Sequence, residues 1–284
     1  MTWSVPLNEI AAFYDSKTQA LLHRYGPGPR VHYHAGLFDE PEALDASPQV
    51  LKKQVVASQE RILQYAAQVW HASSTLCGDV LDVGCGLGGG SLFWAQEFGA
   101  HVAAVTCAPS HAQWVAHFAA RAGVASHVRP LVCNAVEMPG ENCFDAAVAI
   151  ESSCHMPRQA LFQRLATLLR PGGWVFIADF FFEQPKYEEI SRRHWYAPIG
   201  TFSEYHTAAK EAGFQEEFIE DISHRTEHFW TMTAALIQAE ASQKAQGAIT
   251  AKKIEESLQA HTLVQKGLAS GGMRYALMAF KKEE

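Results

Sequence analysis

The sequence predicts an α/β fold in which a mostly parallel sheet of seven strands is covered by helices on both faces. Three observations carry this. From Val80 onward, short β-type runs alternate with segments of helical periodicity. Glycines stand near the C-terminal ends of those helical segments as stop signals. The first strand runs straight into a glycine-rich turn that opens a helix, Val80-Leu81-Asp82-Val83-Gly84-Cys85-Gly86-Leu87-Gly88-Gly89-Gly90.

Residues 1–46 hold Gly26, Pro27, Gly28 and Pro29 among many His and Tyr, which predicts an irregular N-terminal lid with one helix around Leu7–Leu22. Ser47-Pro48 can start a helix whose apolar positions Leu51, Val55, Ile62, Ala66 and Val69 share one face. The core then spans residues 47–284. Its expected strands are Asp79–Val83, His101–Thr106, Val128–Cys133, Phe144–Ile150, Trp174–Phe181, Glu216–Asp221 and Arg274–Lys281. Ser91–Phe98, Pro109–Ala122 and Arg158–Leu169 read as the intervening helices, with Gly99, Gly123 and Gly172 as their stops. Connections over about 182–215 and 223–270 are long for a compact domain, which points to functional caps.

Apolar residues make up 48% of the 284, enough for a sizeable core and against disorder. With 23 basic and 30 acidic side chains the net charge is −7, which repels phosphate backbones and anionic membranes, so nucleic acid is not the expected partner. Cys77, Cys85, Cys107, Cys133, Cys143 and Cys154 lack the paired spacing of a zinc site and suit a reducing, cytoplasmic location. No signal peptide and no run of 18 uncharged apolar residues is found. The sequence leaves the oligomeric state open, a homo-oligomer included.

The glycine turn lets a ligand approach the main chain at the strand end where open α/β sheets bind ligands. A bare Gly-x-Gly also opens dinucleotide sites. A dinucleotide site, however, carries an acidic residue about 20 positions on, and Thr106 stands at that strand end here.

Asp82-Val83-Gly84-Cys85-Gly86 resembles the first motif of class I S-adenosylmethionine-dependent methyltransferases. The resemblance continues through Asn134-Ala135, Leu169-Arg170-Pro171-Gly172-Gly173 and the antiparallel-type last strand. Within that Rossmann-like superfamily, Phe13-Tyr14-Asp15, His32-Tyr33-His34-Ala35-Gly36, the loop Glu151 to Pro157, and Phe229-Trp230 are similar to the sterol, tocopherol and cyclopropane-lipid group and its terpenoid and natural-product relatives, including sugar O-methyltransferases. The resemblance implies a seven-stranded methyltransferase core with S-adenosylmethionine as cofactor and a small organic acceptor, methylated at oxygen or carbon. It implies that Gly84, Gly86 and Gly88 line the amino-acid portion of the cofactor, with Asp82 holding the loop or the ammonium. Thr106 and Cys107 would flank the ribose, Asn134 and Ala135 the adenine, and Tyr33 would belong to the cofactor side.

Methyl transfer is an in-line displacement, so alignment and proton removal are the main tasks. His155 resembles the histidine that deprotonates a hydroxyl in O-methyltransferases, with Asp179 as its expected orienting partner. Glu151 resembles the carboxylate of isoprenoid C-methyltransferases, which steadies a carbocation or takes its proton. Tyr14, His34, Trp195, Tyr196 and Trp230 are the expected acceptor-side residues, with π faces able to enclose a cation. Arg24, Arg30, Arg192 and Arg193 could clamp the diphosphate of a prenyl acceptor, though no metal-binding carboxylate cluster accompanies them and no metal is expected. Two other readings stay open: a cyclase that keeps the fold with S-adenosylmethionine as a structural ligand, and a noncatalytic binding subunit.

Overall fold

Alternation along the central strands sorts their side chains into two cores, one on each face of a single sheet. The computed structural model describes residues 6–40, 44–243 and 248–284. Strands β1 (Asp79–Val83), β2 (His101–Thr106), β3 (Val128–Val132), β4 (Phe144–Ile150) and β5 (Leu169–Phe182) run parallel. β7 (Met273–Lys282) lies antiparallel between β5 and β6 (Phe214–Asp221), giving the order β3-β2-β1-β4-β5-β7-β6. This is the expected seven-stranded, mostly parallel sheet.

Val80, Val102, Val148 and Phe176 face one core. It is filled from α2 (Pro48–Val69), α3 (Gly89–Phe98), α4 (Pro109–Arg121), α8 (Ser223–Ser242) and α9 (Ala248–Ala269). Leu81, Val83, Val105 and Ile177 face the other, against α5 (Arg158–Leu168) and α7 (Phe202–Glu211). The remaining helices, α1 (Leu7–Tyr25) and α6 (Lys186–Trp195), pack Leu21, Tyr25 and Tyr187 onto the first core. Helix α1 runs to Tyr25, where Gly26-Pro27 ends it because proline cannot continue the ladder. Gly99 closes α3 in the left-handed conformation, as expected of a stop glycine.

Gly172 does something else. Helix α5 already stops at Leu168, and the chain enters β5 at once. Phe144 pairs with Leu169 while Ala146 pairs with Trp174, so residues 170–173 bulge out of the ladder. Gly172 adopts φ +71° inside that bulge, and Arg170 ties the bulge down with contacts of 2.8 Å to Asp79 and 2.7 Å to Asp145.

Between α1 and α2 the extended segment 31–38 sinks into the protein: Val31, His32, Ala35, Leu37 and Phe38 are each at most 2% exposed. Several of its backbone groups are met by α2 and α8. Leu37 N–H donates to the Ser58 carbonyl at 3.0 Å, Phe38 N–H to the Arg225 carbonyl at 2.9 Å, and Gln59 Nε2 to the His34 carbonyl at 2.8 Å. Gly36 permits this close approach, since a Cβ there would overlap Ser58 Oγ and stand 2.9 Å from Phe229. Gly36→Ala is therefore expected to lose roughly 1–3 kcal/mol by overpacking, read as a lower urea midpoint with an unchanged slope.

Candidate functional site

In chain order the sheet grows from β1 outward through β2 and β3, then reverses to β4 on the other side of β1. Reversal leaves a crevice at the carboxyl ends of β1 and β4. A cavity of about 1230 Å³ opens there, walled by the glycine turn, the ends of β2, β3 and β4, segment 31–34 and α1. A single drug-sized ligand fills a pocket of roughly 300–1,000 Å³, so this one has room for two molecules.

Its inner half is built from main chain and small side chains. Gly84, Gly86 and Gly88 take φ of +76°, +53° and +83°, conformations that favour glycine. Their surroundings separate their roles. A Cβ at Gly84 would press on Ser152 and one at Gly88 on Val115, whereas one at Gly86 would meet nothing within 4 Å. Gly88 faces α4 and is absent from the cavity wall, contrary to its expected place beside the cofactor, because the backbone turns away into α3 there. Asp82 is 3% exposed, accepts a hydrogen bond from Ser91 Oγ at 2.6 Å, and burial pushes its carboxyl up to about 6.

Thr106, Cys107, Asn134 and Ala135 all line the same half. Thr106 Oγ1 accepts from Ala108 N–H at 3.1 Å, and Asn134 Oδ1 from Val136 N–H at 3.3 Å, so both side chains hold their own turns. Ala135 N–H has no partner among the described residues. His111, on α4, was not foreseen; it is 2% exposed, reaches the cavity wall, and its Nε2 has no protein partner. Open space at Gly86, an orphaned N–H and an orphaned imidazole nitrogen on one wall fit a nucleoside-bearing ligand such as S-adenosylmethionine.

Segment 31–34 closes this half from above. Gly89 has no room for a Cβ because His32 and the Val31 carbonyl rest on it. His34 Nδ1–H donates to the Ala35 carbonyl at 2.8 Å, so its Nε2 accepts from His32 Nδ1–H at 3.2 Å. His32 Nε2–H donates to Glu60 at 2.9 Å, which ends the row on α2. Burial and His32 together pull His34 down to about 3. Both nitrogens of His34 are thus engaged, and it lines the cavity without a free polar atom for an acceptor.

The outer half centres on the loop after β4. His155 Nδ1–H donates to the Tyr196 carbonyl at 3.3 Å, and Nε2 accepts from the Tyr14 hydroxyl at 2.8 Å. Burial is the main cause that lowers His155 to about 4, so it is neutral at physiological pH. Asp179 does not orient it. That carboxylate is fully buried and accepts from Ser153 Oγ at 2.5 Å and Cys154 N–H at 2.9 Å, fixing the short turn that carries His155. Glu151 stands at φ +49° on the cavity wall and accepts from Ala35 N–H at 2.5 Å. Burial, with Asp179 nearby, raises it to about 8, opposed by the Ala35 bond and by the Tyr275 hydroxyl close by.

Three expected acceptor residues lie elsewhere. Trp230 is buried against Phe180, Trp195 and His261, and neither it nor Trp195 or Tyr196 reaches the cavity wall. Large rings gain more by packing on one another than by lining water. Trp195 instead stands beside Tyr33, which does line the wall. The four arginines do not converge either. Arg30 is held by Gln96, Glu60 and Glu97 at 2.8, 3.0 and 2.5 Å, and Arg192 by Glu188 at 2.5 Å. Among the described residues no group of three or more His, Cys, Asp or Glu could hold a metal, and no helix is long and apolar enough to cross a membrane.

Comparison with known proteins bears on the family. Residues 80–173 match a family model described as a methyltransferase domain. The chain is 30% identical to the chloroplastic tocopherol O-methyltransferase of Arabidopsis thaliana over 60% of its own length, spanning about half (49%) of that relative. It is 30% identical to O-methyltransferase rstn1 of Aspergillus nomiae, over 66% of this chain and 78% of that one. The crystal structure of a geranyl diphosphate C-methyltransferase from Streptomyces coelicolor, in complex with Mg²⁺, geranyl diphosphate and S-adenosyl-L-homocysteine, superposes with a TM-score of 0.75 at 21% identity, covering 99% of this chain and 100% of that one. The chain therefore belongs to the class I S-adenosylmethionine-dependent methyltransferases.

Proposed function

We propose that this protein transfers the methyl group of S-adenosylmethionine to a hydroxyl oxygen of a small, largely apolar acceptor, with neutral His155 as the base. The observation that carries the reading is the tautomer of His155. Its Nδ1–H is committed to the Tyr196 carbonyl, so a lone pair on Nε2 is held toward the cavity beside the Tyr14 hydroxyl. The names of the O-methylating relatives support oxygen as the acceptor atom.

The bound cofactor supplies an electrophilic methyl group on a sulfonium. Asp82 would hold its ammonium, Gly84 and Gly86 would give its amino-acid portion room, and Ala135 N–H and His111 Nε2 are the partners open to its nucleoside. Helix α1 and the segment 31–38 would cover both ligands. An acceptor hydroxyl entering beside Tyr14 would take the place of the Tyr14 hydroxyl on His155 Nε2, donating there and pointing a lone pair at the methyl carbon. As the O–C bond forms and the S–C bond breaks, the hydroxyl proton becomes strongly acidic and passes to Nε2. A base of low proton affinity suffices because the transfer follows the displacement. Tyr14 then hydrogen-bonds the same neighbourhood and keeps water from it. The free cysteines on the cavity wall, Cys85, Cys107 and Cys133, support a reducing cytoplasm as the compartment.

Methylation of an alkene carbon through Glu151 is the second reading, favoured by the position of that carboxyl on the wall. It needs an anion, and burial to about 8 keeps Glu151 protonated near neutrality. The two readings separate by pH. With His155 at about 4, kcat/KM for an O-acceptor is expected to stay flat from pH 6.5 to 9. Reliance on the Glu151 anion would instead make it climb through about 8.

Assays with a labelled methyl donor and a panel of hydroxylated small molecules test the proposal. His155→Ala should lower turnover roughly 10²–10⁴-fold while S-adenosylhomocysteine affinity in calorimetry stays within about threefold. Glu151→Gln should cost far less; the reverse ranking would move the chemistry to carbon. Protonation of Asp82 competes with the cofactor ammonium, so affinity should be full above about 6 and fall by roughly tenfold per pH unit below it. Asp82→Asn should abolish that acid limb.

A further inference from the structure

Outside the cavity, behind the rings of Phe13 and Trp195, several hydrogen-bond donors gather; His261 Nδ1–H donates to the Ser257 carbonyl at 2.7 Å, and Arg24 stands against the Tyr25 hydroxyl. Lys17 and Arg24 come from α1, His194 from α6, Trp230 from α8 and His261 from α9. The Lys17 ammonium lies 4.1 Å above the ring of Phe13. The rings continue from His194 to Trp195 at 5.7 Å, Trp195 to Trp230 at 5.8 Å and Trp230 to His261 at 5.2 Å. Two buried donors in this region, Arg24 Nε and Trp230 Nε1, have no hydrogen-bond partner, although Trp230 is only 8% exposed. Native proteins rarely leave buried donors unmet, because the water lost on burial is then not replaced. Among the described residues none of the four basic groups forms an ion pair. Two acids stand nearby: Glu240, half-buried, acts on Tyr25, and Glu256, exposed, acts on His194.

We infer that the space between α1, α6, α8 and α9 is a binding site for an oxyanion, a phosphate or a phosphate-bearing small molecule, held by Lys17, Arg24 and the Trp230 indole with His261 beside them. An oxyanion offers several acceptor lone pairs at once, so one group can satisfy Arg24 Nε, Trp230 Nε1 and the Lys17 ammonium together. The mutual influence of the cations agrees. Burial and Arg24 lower Lys17 to about 8, and His261 is lowered to about 4 by burial and by Arg24, Lys17 and His194. Cations brought together without a counter-ion depress one another, and an anion among them reverses the shift. Phe13 also packs against Tyr196, whose carbonyl holds His155, so the site stands one aromatic layer behind the proposed reaction centre.

Inorganic phosphate and phenyl phosphate are the probes. Each is titrated into the full chain by calorimetry at constant ionic strength, and no methyl-transfer assay enters, so the outcome is independent of the proposed activity. Saturable phosphate binding is expected, weakened at least tenfold by Lys17→Met and by Arg24→Gln, with circular dichroism confirming that the variants fold. Phenyl phosphate binding more than tenfold tighter than phosphate identifies the occupant as an acceptor-borne group that also uses the rings; equal affinity identifies a free anion. In the unmutated chain the NMR titration of His261 should move upward by at least one pH unit on saturation. Absence of saturable binding by both probes, or undiminished binding by both folded variants, overturns the site.

Discussion

The hydrogen bond from Ala35 N–H to the Glu151 carboxyl group ties the two parts from which the pocket is assembled. Glu151 stands at the end of β4, on the sheet, and Ala35 lies in the extended segment between α1 and α2. Once Ala35 is seated, His32 and Val31 rest on Gly89, the carbonyl of His34 meets Gln59, and α1 is delivered with Tyr14 facing His155. Each of these contacts joins residues remote in the chain. The absence of a side chain at Gly36 and Gly89 is what lets the segment lie this deep. A β-strand end and a glycine turn make a ligand crevice in many folds; here the buried segment supplies the roof.

Charge is handled consistently inside that roof. Burial raises Asp82 and Glu151 to about 6 and about 8 and lowers His34 and His155 to about 3 and about 4. All four shifts favour the neutral form, as expected where water is scarce. Charge is kept to the edge of the roof, where Glu60 meets both His32 and the Arg30 guanidinium. A cavity whose ionisable groups are mostly neutral offers little competition to a cationic ligand, and a sulfonium is such a ligand. It also leaves a base available without titration across the physiological range.

Much of the fold was legible because its signals are local. Strand periodicity placed seven strands within a few residues of their ends, and the glycine turn marked the ligand end of β1. The bulge at Gly172 was misread because a left-handed glycine after a helix and one within a ladder look alike until pairing is known. The site was legible where backbone does the work, as at Gly84, Gly86 and Ala135. It was opaque where side chains meet across the fold. Tyr14 and His155 are 141 residues apart, so nothing in the neighbourhood of either reveals that Tyr196 and not Asp179 fixes the imidazole. His111 was missed since a histidine on an amphipathic helix has no distinguishing neighbours, and Trp195 and Trp230 were over-read because aromatic character alone does not tell a packed ring from a lining one.

Hydrogen exchange with and without S-adenosylhomocysteine bears most directly on the view that segment 31–38 and the glycine turn form one pocket. Saturating ligand should slow exchange in residues 31–37 and 84–90 together, with β6 and β7 unchanged as an internal reference. Protection of the glycine turn with no change in residues 31–37 would contradict it, for the segment would then be a structural strut beside the pocket and not its roof.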